Sequence, residues 1–157
     1  MYGENVKMKS PRADSLSNYE APVTLKYDVE LSKPEDDIVY INPMFGEGWK
    51  NNPFKSAERY YPVEMPYTMD ETYILTMDVP EGYTVDEIPK QMVVKLDEKE
   101  SALFEYRISQ SGTTISLRSR LKVSRTLYAN EEYENLREFF NLIVKKQNEQ
   151  IVFKKKK

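Results

Sequence analysis

The chain has 157 residues, 26 acidic and 23 basic side chains for a formal charge of -3, and neither cysteine nor histidine. Those two absences exclude Cys/His and Ser/His nucleophile pairs, the usual zinc sites, thiol redox centres and histidine pH switches. The charge gives no global pull toward nucleic acid, and no apolar run approaches the ~20 residues that span a bilayer, so neither nucleic-acid binding nor membrane insertion is expected.

Residues 1–21 are polar and weakly patterned, with Pro11 as their rigid point, and read as a flexible leader or linker. Residues 22–157 read as a single domain. Order is expected to begin at Pro22, because from Val23 the alternation is strict. Val23, Leu25, Tyr27, Val29 and Leu31 share one face, and Thr24, Lys26, Asp28, Glu30 and Ser32 share the other. A second strand is expected at 38–41. Residues 42–57 follow as a long loop, where Pro43, Gly46, Gly48 and Pro53 break every period around Phe45, Trp49 and Phe54.

Tyr73, Leu75, Met77 and Val79 restore period 2, Glu81-Gly82 supplies a turn, and 83–88 and 91–96 give two shorter strands. A hairpin then forms around Ser111-Gly112 as its two-residue connection, since glycine accepts the positive φ of primed turns. That placement sets Ile108 against Ile115, Tyr106 against Leu117, Phe104 against Ser119 and Glu105 against Arg118. Arg118, Arg120 and Lys122 make a basic row, and the facing carboxylate marks it as a charge-paired, solvated sheet face and not a phosphate groove.

One helix is expected over about 131–147. Asn130 is its N-cap, Glu131, Glu132 and Glu134 lie in the first turn, and Lys145 and Lys146 lie in the last. Its stripe is Tyr133, Leu136, Phe139, Phe140, Ile143 and Val144. Ile151 to Phe153 make a last strand before four lysines, which read as a solvated tail. The sum is a mainly β chain, an antiparallel β-sandwich with one C-terminal α-helix packed at an edge.

Carboxylates are the only abundant catalytic groups left, and the adjacent acids Asp36/Asp37, Asp70/Glu71 and Asp97/Glu98 sit in turn-like stretches where solvation is the ordinary state. No glycine pattern for a nucleotide and no metal-ligand spacing occurs, so neither cofactor nor metal is expected. The aromatic loop, Phe45, Trp49 and Phe54 with flanking Tyr60 and Tyr61, is the candidate binding or interface surface. Aromatics in such a loop are expected to bury themselves on their own or a neighbouring domain, the alternative being a stacking platform for a glycan or peptide.

Several short words are familiar. Tyr40-Ile41-Asn42-Pro43, Asn52-Pro53-Phe54-Lys55, Arg59-Tyr60-Tyr61-Pro62-Val63 and Val79-Pro80-Glu81-Gly82-Tyr83 resemble the closing β-module, a domain of unknown function, of large bacterial transglutaminase-like or papain-like cysteine-peptidase-like proteins. The resemblance covers roughly 22–155. It implies a non-catalytic accessory module whose partner is the catalytic core of a larger parent, and a periplasmic or secreted location. The family's Cys/His/Asp triad lies upstream of this module, and none of it can be placed on this sequence.

Overall fold

The computed structural model describes residues 6–157, which divide into two compact units, one ending at Glu35 and the other running from Asp36 to Lys157. The first is an antiparallel ribbon of β1 (Val6–Asp14) and β2 (Thr24–Leu31). β1 corrects the expectation that order begins at Pro22. Its own alternation is short because a bulge between Lys9 and Arg12, with Ser10 at φ 52, interrupts it. It is held by ladder bonds and the exposed ion pairs Lys9–Glu30 and Lys26–Asp14.

The second unit contains β3 (Ile38–Ile41), β4 (Val63–Glu64), β5 (Met69–Asp78), β6 (Tyr83–Glu87), β7 (Met92–Lys95), β8 (Ala102–Ser111), β9 (Thr114–Val123), β10 (Leu127–Tyr128), α1 (Tyr133–Gln147) and β11 (Ile151–Lys155). A four-stranded sheet has the order β5-β9-β8-β7 and a three-stranded sheet the order β3-β11-β6, while β4 and β10 make a small ladder. All pairs are antiparallel. The mainly β, antiparallel fold with one C-terminal helix is therefore the one the periodicities indicate.

Alternation fixes which face of the larger sheet is inside. Ala102, Phe104, Tyr106 and Ile108 on β8 and Ile115, Leu117, Leu121 and Val123 on β9 are buried. Leu136, Phe139, Phe140 and Ile143 of α1 are buried too. The helix lies on that face and not at an edge: Gln147 Nε2 reaches Ser119 Oγ in mid-strand at 3.2 Å, and the Lys146 ammonium stands 5.9 Å from the centre of the Tyr106 ring.

The β8–β9 hairpin differs from expectation by two residues. Ser111 pairs with Thr114, so Gly112-Thr113 is the connection, with Gly112 at φ 58 in the first central position, where a II′ turn takes glycine. Ile108 then faces Leu117, Tyr106 faces Ser119, Phe104 faces Leu121 and Glu105 faces Arg120. A shift of two keeps every side chain on its face. The charge pairing also survives, because Glu105 accepts from Arg118 at 3.1 Å on the diagonal and from Arg107 at 2.9 Å, and Asp70 takes both forks of Arg120 at 2.7–2.8 Å.

The helix start also moves. Residues 130–132 form a 3-10 turn, and the cap is Ala129, whose N–H donates to Glu132 Oε2 at 2.7 Å while Oε1 accepts from Arg125. Asn130, the expected cap, lies inside that turn. Lys154 and Lys155, expected in a tail, belong to β11, and the Lys155 N–H donates to the Asp37 carbonyl at 2.9 Å.

Asp97 organises the turn before β8. Its carboxylate accepts the Ser101 hydroxyl, and the Ser101 N–H at 2.9 Å, and these two bonds hold its pKa below the ordinary 3.8. A lowered folded pKa contributes stability above the unfolded value that is lost as pH falls through the folded one. Asp97→Asn is therefore expected to be less stable than the parent chain at neutral pH, with the gap closing below pH 3.8. Urea midpoints measured from pH 7 to pH 2.5 check this; a gap that does not change with pH overturns it.

Candidate functional site: an aromatic loop stapled along the helix

The candidate residues lie on or beside the 42–57 loop, whose course is set by one device used twice. Asn42-Pro43 and Asn52-Pro53 each begin a turn in which the asparagine Oδ1 accepts the N–H two residues on, from Met44 and from Phe54, both at 2.8 Å. The other end of each amide reaches the helix. Asn42 Nδ2 donates to the Gln147 carbonyl at 2.9 Å and Asn52 Nδ2 to the Arg137 carbonyl at 2.8 Å. Those carbonyls are ten residues apart on α1, a rise of about 15 Å. The loop thus runs antiparallel to the helix with a matching ten-residue spacing between its asparagines.

Further bonds close the seam. Gln147 Oε1 accepts the Trp49 N–H at 2.8 Å, while the Ser56 carbonyl accepts the Tyr133 hydroxyl at 2.8 Å and Arg137 at 3.3 Å. Gly48 permits the approach, since a Cβ there would sit 3.1 Å from Gln147 Cβ.

These staples decide where the aromatic rings go. Trp49 meets Phe140 edge to face at 5.4 Å, and Phe54 meets Phe140 at 5.1 Å and Tyr133 at 6.1 Å. Phe45, Trp49 and Phe54 are all half-buried. Tyr60 and Tyr61 are different: each is 79% exposed, with the Tyr60 hydroxyl on Glu58 at 3.1 Å and the Tyr61 carbonyl accepting from Arg59 at 3.2 Å. The five residues singled out in the sequence therefore fall into two groups: Phe45, Trp49 and Phe54 are half-buried, the last two with their rings packed on the helix, and the two tyrosines are open to solvent. Tyr67 and Leu127, at 63% and 58% exposure, were not anticipated as further exposed apolar residues. The staples Asn42, Asn52 and Gln147 were also missed, although the repeated Asn-Pro dipeptide is a readable turn signal.

Little else resembles a reaction centre. Asp70, Asp97, Glu105 and Glu132 are all held below their ordinary pKa by hydrogen bonds, from Arg120, Ser101, Arg107 and Arg125 respectively, which keeps them ionised and unsuited to donating a proton. Among the described residues, no three Cys, His, Asp or Glu side chains gather where a metal could sit. A shallow depression of about 340 Å³ lies against β5, β9 and β8, with Ile74, Gln91, Arg107 and Arg118 in its lining.

No curated protein matches the chain. A solved structure from Parabacteroides distasonis ATCC 8503, described as a "putative protease", matches over 97% of this chain with a TM-score of 0.53 and 14% identity, a likeness of fold. The chain spans 24% of that larger protein. The model of a family described as a domain of unknown function with solved structure, DUF3858, matches residues 37–153, and its start falls beside the division between the two compact units. The chain belongs to the DUF3858 family.

Proposed function

We propose that the chain is a non-catalytic accessory β-module that packs on a transglutaminase-like or cysteine-peptidase-like catalytic core in a larger parent protein. The observation that carries this reading is the match to about a quarter of a longer, protease-described protein, by a chain that has neither cysteine nor histidine for such chemistry.

On this reading, the exposed tyrosines are the surface that would meet that core. Phe45, Trp49 and Phe54 are half-buried, with Trp49 and Phe54 stacked on the helix, so the contact falls to the exposed tyrosines Tyr60 and Tyr61. Tyrosine suits such a role because it brings a large apolar area at low entropic cost and a hydroxyl that tolerates water before docking.

The test is a calorimetric titration of the chain with the separately expressed core of its parent. Saturable binding is expected, weakened at least tenfold in Tyr60→Ala/Tyr61→Ala with the variant's unfolding midpoint unchanged. No association at the highest attainable concentration would sink the proposal.

A further inference from the structure

The face of the larger sheet turned away from α1 carries two rows of side chains that run straight across β8, β9 and β5. Arg107, Arg118 and Ile74 face one another in the first row, and Ser109, Ser116 and Thr76 in the second, about 7 Å further along the strands. Long side chains beside a row of short hydroxyls leave the shallow depression of about 340 Å³, a volume in the range of small-ligand sites. Its charge is unbalanced. Two guanidiniums directly opposite each other repel, and these two share a single carboxylate, since Glu105 accepts from Arg107 at 2.9 Å and from Arg118 at 3.1 Å. The other acids on this face of the three strands are engaged elsewhere, Asp70 with Arg120 and Asp78 with the Thr114 hydroxyl at 3.2 Å. Among the described residues, none that lines the depression is acidic. Ile74 ends the arginine row and is 71% exposed, so an apolar contact lies beside the two cations.

We propose that this depression binds a monocarboxylate with a branched apolar stem, the carboxylate on Arg107 and Arg118 and the stem on Ile74. Charge sets the ligand class. Two guanidiniums against one carboxylate leave a single positive charge, which a monoanion neutralises, whereas a dianion such as phosphate would leave negative charge in excess beside Glu105. The donors suffice. A guanidinium carries five N–H groups in a planar fork that matches a carboxylate, and each of these two gives one to Glu105. The hydroxyls of Ser109 and Ser116 stand one row away as further donors. Access needs no movement of the core, because the Arg107 and Arg118 side chains are 55% and 40% exposed. The site shares no residue with the tyrosines assigned to the core and does not depend on that reading.

The test is a titration of the isotope-labelled full chain followed by its amide chemical shifts, with isocaproate as the probe and its uncharged amide and inorganic phosphate as controls. Saturable shifts centred on Ile74, Arg107, Ser109, Ser116 and Arg118 are expected from the acid, with a dissociation constant of about 1 mM because exposed ion pairs are individually weak. The amide and phosphate are expected to bind more weakly by roughly fivefold or more, and Arg118→Gln to lose a similar factor for the acid, with Arg107→Gln in its place if that variant misfolds. Glu105→Gln frees a second positive charge and is expected to tighten the acid by roughly threefold, a gain that a merely structural role would not give. No saturation, equal shifts from the amide, or a folded Glu105→Gln that binds no more tightly overturns the site, and phosphate binding as tightly as isocaproate overturns the carboxylate as its ligand. N-acetyl-alanyl-leucine separates the sources of such a group: tighter binding than isocaproate supports the site as one for a peptide chain end, and weaker binding supports it as one for a small free acid.

Discussion

Phe140→Ala is expected to be the most damaging single substitution in the 36–157 unit, at about 3–5 kcal/mol of unfolding free energy. Phe140 is fully buried and touches the rings of Trp49, Phe54 and Phe139 at 5.4, 5.1 and 5.8 Å. Truncating it removes the transfer energy of the ring and leaves a cavity that the loop cannot easily fill, because Asn42 and Asn52 hold its backbone to α1. Trp49 is the only tryptophan, so its emission reports the same event: a red shift in the folded variant, together with a lower urea midpoint. An unchanged midpoint would mean that the aromatic seam contributes little to the core.

The second large effect concerns a charge that the helix carries inside. The Lys146 side chain is 5% exposed, and its Nζ donates to both oxygens of Glu149 at 2.7–2.8 Å and to the Lys90 carbonyl at 3.1 Å. Removing one member of a buried pair is costly because the other is left desolvated without compensation. Glu149→Ala strands Lys146 and is expected to cost about 2–3 kcal/mol, less than a fully buried pair because Glu149 is itself 35% exposed. Lys146→Met leaves a carboxylate that water can reach, and should cost clearly less. Urea unfolding of both variants at neutral pH decides; equal losses would show that stranding the ammonium carries no penalty beyond the lost ion pair itself.

Most of the fold was legible because burial writes itself into period. The buried set on β8 and β9 and the stripe on α1 are the alternation and the helical spacing seen in the sequence, with Val144 alone only half-buried. The turn was legible too, but not which of its positions the glycine takes, and that ambiguity moved the register by two while sparing the faces. β1 was hidden because its bulge cuts the pattern to a few residues and because Lys7, Lys9 and Arg12 suggest solvation, which a ribbon edge also provides. In the candidate site, ring identity could be read but ring direction could not. Direction depends on Asn42 meeting Gln147, Asn52 meeting Arg137 and Trp49 meeting Gln147 across 85 to 105 positions of chain, which no local pattern encodes.

β11 lies between β3 and β6, which bond to it and not to each other. During synthesis β3 and β6 are therefore made long before the strand that unites them, and Ile41 must wait for Ile151 across 109 intervening positions. Closing so wide a loop is entropically slow, so docking of β11 is placed late and everything it joins is secured together. Until then the nascent chain offers two orphan strands to the cell, and the interval between them is its window of vulnerability to aggregation and chaperone capture.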